Sequence, residues 1–184
     1  PEDYRVTAVE LDPVVVRAAG RYFDTLTGEE EIHVQDVRTF VREEPGRYDL
    51  VVLDVCGSDL MPEHLVTVEF FSEARSVMSP GAVLALNSIG PNGGPTLASL
   101  DRTLREVFPF VKALATNPEG PLPNVVFFAS NEPLEAESVL FEDEERSFLV
   151  EIEGGRVLTD QWNPINFWNA DWAREVRRTR RERY

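Results

Sequence analysis

Residues 48–54 read Tyr-Asp-Leu-Val-Val-Leu-Asp. Four consecutive apolar residues, Leu50 to Leu53, stop at a carboxylate, Asp54. A run without polar alternation predicts a strand buried on both faces, as in a parallel sheet. Parallel neighbours need crossover connections, usually helices, so strand and helix patterns should alternate on either side. They do. Upstream, residues 5–10 predict a strand, and Asp12-Pro13 is a helix-start pair, an oxygen acceptor at the cap followed by proline at the first helical position. Val15, Ala18, Ala19 and Tyr22 then share one helical face. A second short strand is predicted at 31–35. Asp36 can cap a short helix through Phe40 and Val41, and Pro45-Gly46 marks a turn.

Downstream, a polar loop at 55–65 leads to a helix capped near Thr67, with Phe71, Ala74 and Met78 inward. Ser79-Pro80-Gly81 should end it. A strand follows at 82–87, then the loop Gly90 to Pro95, then a helix marked by Leu97, Leu100, Leu104 and Val107. Strands near 110–115 and 124–129 are close enough in sequence to turn antiparallel. Residues 132–145 carry seven carboxylates and receive no element. Residues 148–158 predict a hairpin turning at Gly154-Gly155. Trp168, Trp172 and Val176 predict a terminal helix docked on the domain, with Arg174, Arg177, Arg178 and Arg181 on another face. The sum is an α/β protein, an open sheet with helices on both faces and right-handed connections. We divide it into a domain over 1–160 and an aromatic, arginine-rich tail over 161–184.

Composition narrows the function. The chain has 184 residues, 42% of them apolar, enough for a real core in one domain of ordinary size. No apolar run reaches the roughly 20 residues that span a bilayer. The opening residues are charged, which argues against a signal peptide, and the start at Pro1 reads as part of a longer protein. The single cysteine, Cys56, permits no internal disulfide and suits a reducing cytoplasm. The net charge is −15, a field that repels nucleic acid and attracts cations. A cationic small substrate fits such a body, and so does plain solubility. Lys112 is the only lysine, so Schiff-base chemistry is confined to that position.

In an open parallel sheet, ligands bind beyond the carboxyl ends of the strands. Three predicted strands end in acids there: Glu10, Asp36 and Asp54. These should converge on one rim. Glu10 can accept ribose hydroxyl hydrogens, or can be a solvated strand-end acid. Asp12 reads as a helix cap. Asp36 can accept from an adenine amino group with the backbone of Val37 nearby, or cap a helix, and the two roles can coexist. Asp54, beside an apolar wall, suits base work, although a structural role is equally open. Asp59 and Glu63 follow closely, and with Asp54 they could hold an ammonium group or form a solvated loop. Cys56 has no nearby cation to stabilise a thiolate. His33 and His64 read as structural, and neither has metal-ligand spacing, so no metal is expected.

These residues resemble the spermidine synthase family of aminopropyltransferases, in its bacterial spermidine-synthase-like branch. The resemblance rests on Val9-Glu10-Leu11-Asp12-Pro13, on Gln35 to Phe40, on Tyr48 to Asp54, on Gly57-Ser58-Asp59 through Leu65, and on Thr67 to Phe71. Ser79 to Leu84, Leu158-Thr159-Asp160 and Asn163-Pro164 extend it. It implies a Rossmann-like sheet of the class I methyltransferase type. It implies decarboxylated S-adenosylmethionine as donor and putrescine or another polyamine as acceptor, in a cytoplasmic homo-oligomer, a dimer, with no nucleic-acid or membrane partner. Glu10 would hold the ribose, Asp36 and Val37 the adenine, Asp54 would be the general base, and Asp54 with Asp59 would bind the amine. Two departures stand out. The family's first strand, glycine-rich loop and N-terminal hairpin domain have no counterpart here, and that strand would lie between 5–10 and 48–54. Gly57 also stands where typical members carry another acid. A methyltransferase and a non-catalytic module of the same fold are the alternatives.

Overall fold

A computed structural model describes residues 5–23, 31–44, 46–54, 61–116, 118–120, 122–135, 148–170 and 174. The chain divides into two compact units, Pro1–Gly46 and Arg47–Tyr184, and each is described by itself.

In the first unit, β1 (Thr7–Glu10) and β2 (Glu31–Val34) pair in parallel, with Thr7 opposite Glu31 and Glu10 opposite Val34. Helix α1 (Pro13–Tyr22) lies between them in sequence. It starts where Asp12-Pro13 predicts, with Asp12 Oδ1 accepting the Val14 N–H at 2.7 Å. Its predicted inward face is a correction: α1 has no buried residue, and Val15 and Tyr22 are exposed. Two four-residue strands offer too little surface within this unit to cover a ten-residue helix. Helix α2 (Val37–Glu43) does bury Phe40 and Val41. The Phe40 ring lies 4.8 Å from that of His33, which is therefore a packed strand residue, as expected.

The second unit carries a five-stranded sheet in the order β3-β4-β6-β5-β7. Strand β3 (Tyr48–Leu53) runs parallel to β4 (Met78–Ile89), which pairs on its other side with antiparallel β6 (Asn124–Ser130). Strand β5 (Phe110–Thr116) is antiparallel to both β6 and β7 (Phe148–Val150). Helices α3 (Val68–Ser76) and α4 (Pro95–Val107) bear the apolar stripes read from sequence. Phe70, Phe71, Leu100 and Leu104 join Leu84, Leu86 and Phe127 in a core from which solvent is excluded.

Three expectations are corrected in this unit. Strand β3 is not buried on both faces: Leu53 is buried, but Leu50 and Val52 are 58% and 63% exposed. Successive strand residues point to opposite faces, and this unit covers only one of them. Ser79-Pro80-Gly81 does not end a helix. Helix α3 stops at Ser76, and Met78, predicted on the helix, is buried as the first residue of β4. The Pro80-Gly81 step is absorbed by a register shift between Tyr48 and Leu50 and by a positive φ of 74° at Gly81. The hairpin predicted at 148–158 is a single strand. β7 joins the sheet edge, and the chain beyond Gly154 and Gly155 runs on with no partner strand among the described residues. Residues 165–170 are helical, as the tail predicts, while Trp172 and Val176 lie outside the described residues.

Leu84→Ala, at a site with no exposure, should lower unfolding free energy by about 3 kcal/mol. Val52→Thr should stay within about 0.5 kcal/mol, because its side chain is already in water. Urea denaturation of both variants measures the contrast.

Candidate active site

Parallel pairing of β1 with β2 brings the carboxyl ends of both strands to one rim. Glu10 is the last residue of β1, and its carbonyl accepts the Gln35 N–H at 3.1 Å. Asp36 follows one residue later. Glu10 Oε1 also accepts the Asp12 N–H at 2.8 Å. This local bond turns the carboxylate back across the start of α1, and Asp12 in turn caps that helix. Asp36 Oδ1 accepts the Thr39 N–H at 3.0 Å and so caps α2. As the first helical residue, Val37 has an N–H without an intrahelical acceptor. Glu10, Asp36 and Val37 therefore share one rim of the first unit. The cap role weighed for Asp36 is real, and it uses one carboxylate oxygen.

Asp54 belongs to the second unit, immediately after β3. The register pairs Leu53 with Leu86, so the next positions, Asp54 and Asn87, face each other across two parallel strands. Asn87 Nδ2 donates to Asp54 Oδ1 at 2.9 Å. A side-chain amide at this distance fixes the rotation of a carboxylate without adding charge. Sequence reading missed Asn87. The signal was present as a polar residue late in the apolar strand Ala82 to Leu86, but its meaning depended on which strand lay beside β3.

Cys56, Gly57 and Asp59 lie outside the described residues. The chain is next described at Met61. Glu63 and His64 belong to a single 3-10 turn, Glu63–Leu65, with both side chains toward solvent and Leu65 buried. Among the described residues no helix is long and apolar enough to cross a membrane.

No family model matches the chain. Over 133 residues it is 34% identical to a protein of Emericella nidulans named N-terminal histidine N-methyltransferase, covering 67% of this chain and 24% of that protein. It is 25% identical over 186 aligned positions to the polyamine aminopropyltransferase of Vibrio vulnificus, covering 90% of this chain and 62% of that one. A solved structure, a probable spermidine synthase from Corynebacterium glutamicum, superimposes with a TM-score of 0.73 at 22% identity, over 85% of this chain and 63% of that one. The fold is thus α/β, of the Rossmann-like class that spermidine synthases share with class I methyltransferases. The chain spans less than two thirds of the length of these relatives.

If Asp36 holds α2 through its cap, Asp36→Ala should cost about 1 kcal/mol and Asp36→Asn very little, since asparagine caps equally well. Hydrogen exchange at the amides of Thr39 and Phe40 reports the difference. Equal protection in both variants would remove the cap from the account of this rim.

Proposed function

We propose that this member of the spermidine synthase family takes part in transferring an aminopropyl group from decarboxylated S-adenosylmethionine to a small polyamine such as putrescine, with Asp54 as the general base. The observation that carries the reading is the Asp54 carboxylate at the mouth of β3, with one oxygen held by Asn87 at 2.9 Å. That bond leaves the other oxygen to address a substrate.

The chemistry requires such a group. An alkylammonium has a pKa of about 10, like lysine, so near neutral pH its nitrogen has no free lone pair. A carboxylate first attracts the cation by a charge-assisted hydrogen bond and then accepts a proton from it. The neutral nitrogen forms a bond to the carbon beside the sulfonium while the carbon–sulfur bond breaks. Sulfur leaves as a thioether with the electron pair. Both charges on the way in are positive, and the net charge of −15 favours their approach. Holding the two reactants in line supplies much of the acceleration.

The donor's nucleoside is assigned to the first unit. Glu10 would accept from the ribose: its Oε1 is already oriented by the Asp12 N–H, which leaves Oε2 for a hydroxyl. Asp36 and the N–H of Val37 would meet the adenine edge, with the cap bond holding both in place. Asp59 would join Asp54 in binding the ammonium. A cytoplasmic homodimer belongs to the same reading.

A methyltransferase is the second reading, and its support is the 34% identity to the Emericella nidulans methyltransferase. The donor separates the two. The full-length protein containing this chain is supplied with either S-adenosylmethionine or its decarboxylated form, plus putrescine, and products are weighed by mass spectrometry. The expected product is the aminopropylated amine from the decarboxylated donor. Asp54→Asn should lower its turnover by about a hundredfold or more while donor affinity stays within about twofold of wild type. Methyl transfer from the ordinary donor, or near-normal turnover by Asp54→Asn, refutes the first reading.

A further inference from the structure

Strand β4 does not meet β3 in one continuous register. Tyr48 stands opposite Met78, and Leu50 stands opposite Val83. Between those pairings β3 advances by two residues and β4 by five, so β4 carries three residues that β3 does not match. The extra length falls in Ser79-Pro80-Gly81-Ala82, where Pro80 has no N–H to donate and Gly81 takes a φ of 74°. An insertion of this kind re-aims the side chains beyond it. Carried on unbroken from Tyr48 and Met78, the register would set Asp54 opposite Leu84. With the offset, Leu53 pairs with Leu86 and Asp54 meets Asn87. Because the offset is odd, it also decides which face each β4 side chain joins. Leu84 and Leu86 join Leu53 among the buried side chains, and Asn87 comes out on the other face beside Asp54.

The contact made there is direct. Asn87 Nδ2 donates to Asp54 Oδ1 at 2.9 Å. Asp54 is exposed and Asn87 half-buried, so the amide is the anchored member of the pair and the carboxylate the accessible one. Two properties of the amide matter. It is a donor, so it can occupy one oxygen of a carboxylate. It is neutral, so it neither cancels the carboxylate's charge, as a lysine or arginine would, nor repels it, as a second acid would.

We infer that Asn87 is a positioning residue for the transfer step: by engaging Oδ1 with a neutral donor, it presents Oδ2 as the oxygen that takes the proton from the amine. The inference rests on the aminopropyl-transfer reading. The proton passes from the ammonium nitrogen to Oδ2, the freed electron pair forms the carbon–nitrogen bond, and the carbon–sulfur pair leaves with sulfur. One fixed oxygen, in place of two that interchange by rotation, gives the nitrogen a single line of approach to the carbon beside the sulfonium.

Three substitutions separate donation from shape. Asn87→Asp keeps the size of the side chain and loses the donor. Asn87→Gln keeps a neutral donor on a longer stem. Asn87→Ala loses both. A packing role alone makes Asn87→Asp the mildest change, whereas a donor role makes Asn87→Gln the mildest. The full-length protein and these variants are compared by steady-state kinetics with putrescine and the decarboxylated donor. Asn87→Ala and Asn87→Asp should lower kcat by about tenfold to a hundredfold, with KM for the donor within about twofold of wild type. Asn87→Gln should retain several times the turnover of either. Turnover by Asn87→Asp equal to or above that of Asn87→Gln, or an unchanged kcat in Asn87→Ala, overturns the positioning role. A second readout is independent of turnover. In nitrogen–proton NMR spectra of the side-chain amides, Asp54→Ala should move the Asn87 resonances and leave those of Asn163 and Asn166 in place. Unmoved Asn87 resonances overturn the contact itself. If wild type transfers no aminopropyl group but the Asn87 resonances move, the contact stands and it is the aminopropyl-transfer reading that has failed.

Discussion

A strand inside a sheet must place its backbone hydrogen bonds on both sides at once, and β4 is where the second unit meets that requirement. Its partner is parallel β3 on one edge and antiparallel β6 on the other. Its side chains Leu84 and Leu86 have no solvent exposure. A strand so constrained cannot slip by one residue without turning an apolar side chain outward. The register of β3 against β4 is therefore fixed by burial. That register, and nothing local to Asp54, is what puts the carboxylate opposite the amide of Asn87. The geometry of the candidate base is a consequence of core packing several residues away.

Where local chemistry decides structure, the sequence was readable. Asp12-Pro13 and Thr67 cap their helices as their types predict, and Leu97, Leu100, Leu104 and Val107 are all buried on α4. The acids at the ends of β1 and β3 lie where an alternating α/β pattern puts them. What escaped sequence reading depended on non-local partners. Pro80 and Gly81 look like a terminator, yet β4 runs through them because β3 and its register shift accommodate the irregularity. Gly154 and Gly155 look like a hairpin turn, yet both take a positive φ in a segment that crosses α4 instead. There the added Cβ of any other residue at Gly155 would lie 2.2 Å from the backbone oxygen of Ala98, so the glycine serves a close approach. Asn87, Asn163 and Asn166 are separated from their partners by 33 to 105 positions, a distance no periodicity reports.

The exposed side chains carry information of the same kind. Leu50 and Val52 on β3, and Val14 and Val15 on α1, are apolar residues in water. Scattered singly, such residues would need no explanation. Here they occupy strands and helices whose sequence pattern is that of buried elements. Among the described residues, β1 bonds only to β2 and β3 only to β4. Within its own unit each of these strands has one neighbour, and the apolar side chains beside it stay uncovered.

A chain with a net charge of −15 gathers like charges wherever it fastens a loop with a carboxylate. Carboxylates bind backbone N–H groups well, but one bonded directly against Asp54 would repel it. A carboxylate at position 87 would set two like charges at hydrogen-bond distance, an arrangement in which both cannot comfortably stay ionised. Neutral amides avoid the conflict. Asn87 donates to the candidate base, Asn163 donates to a carbonyl, Asn166 accepts from an N–H, and Asn92 donates to Pro118 O on another loop. Because one amide offers both donor and acceptor, it can meet either kind of orphan backbone group without changing the local field. Carboxylates do fasten the chain elsewhere, as Glu10, Asp12, Asp36, Glu69 and Asp160 show, but the group that holds the Asp54 carboxylate itself carries no charge.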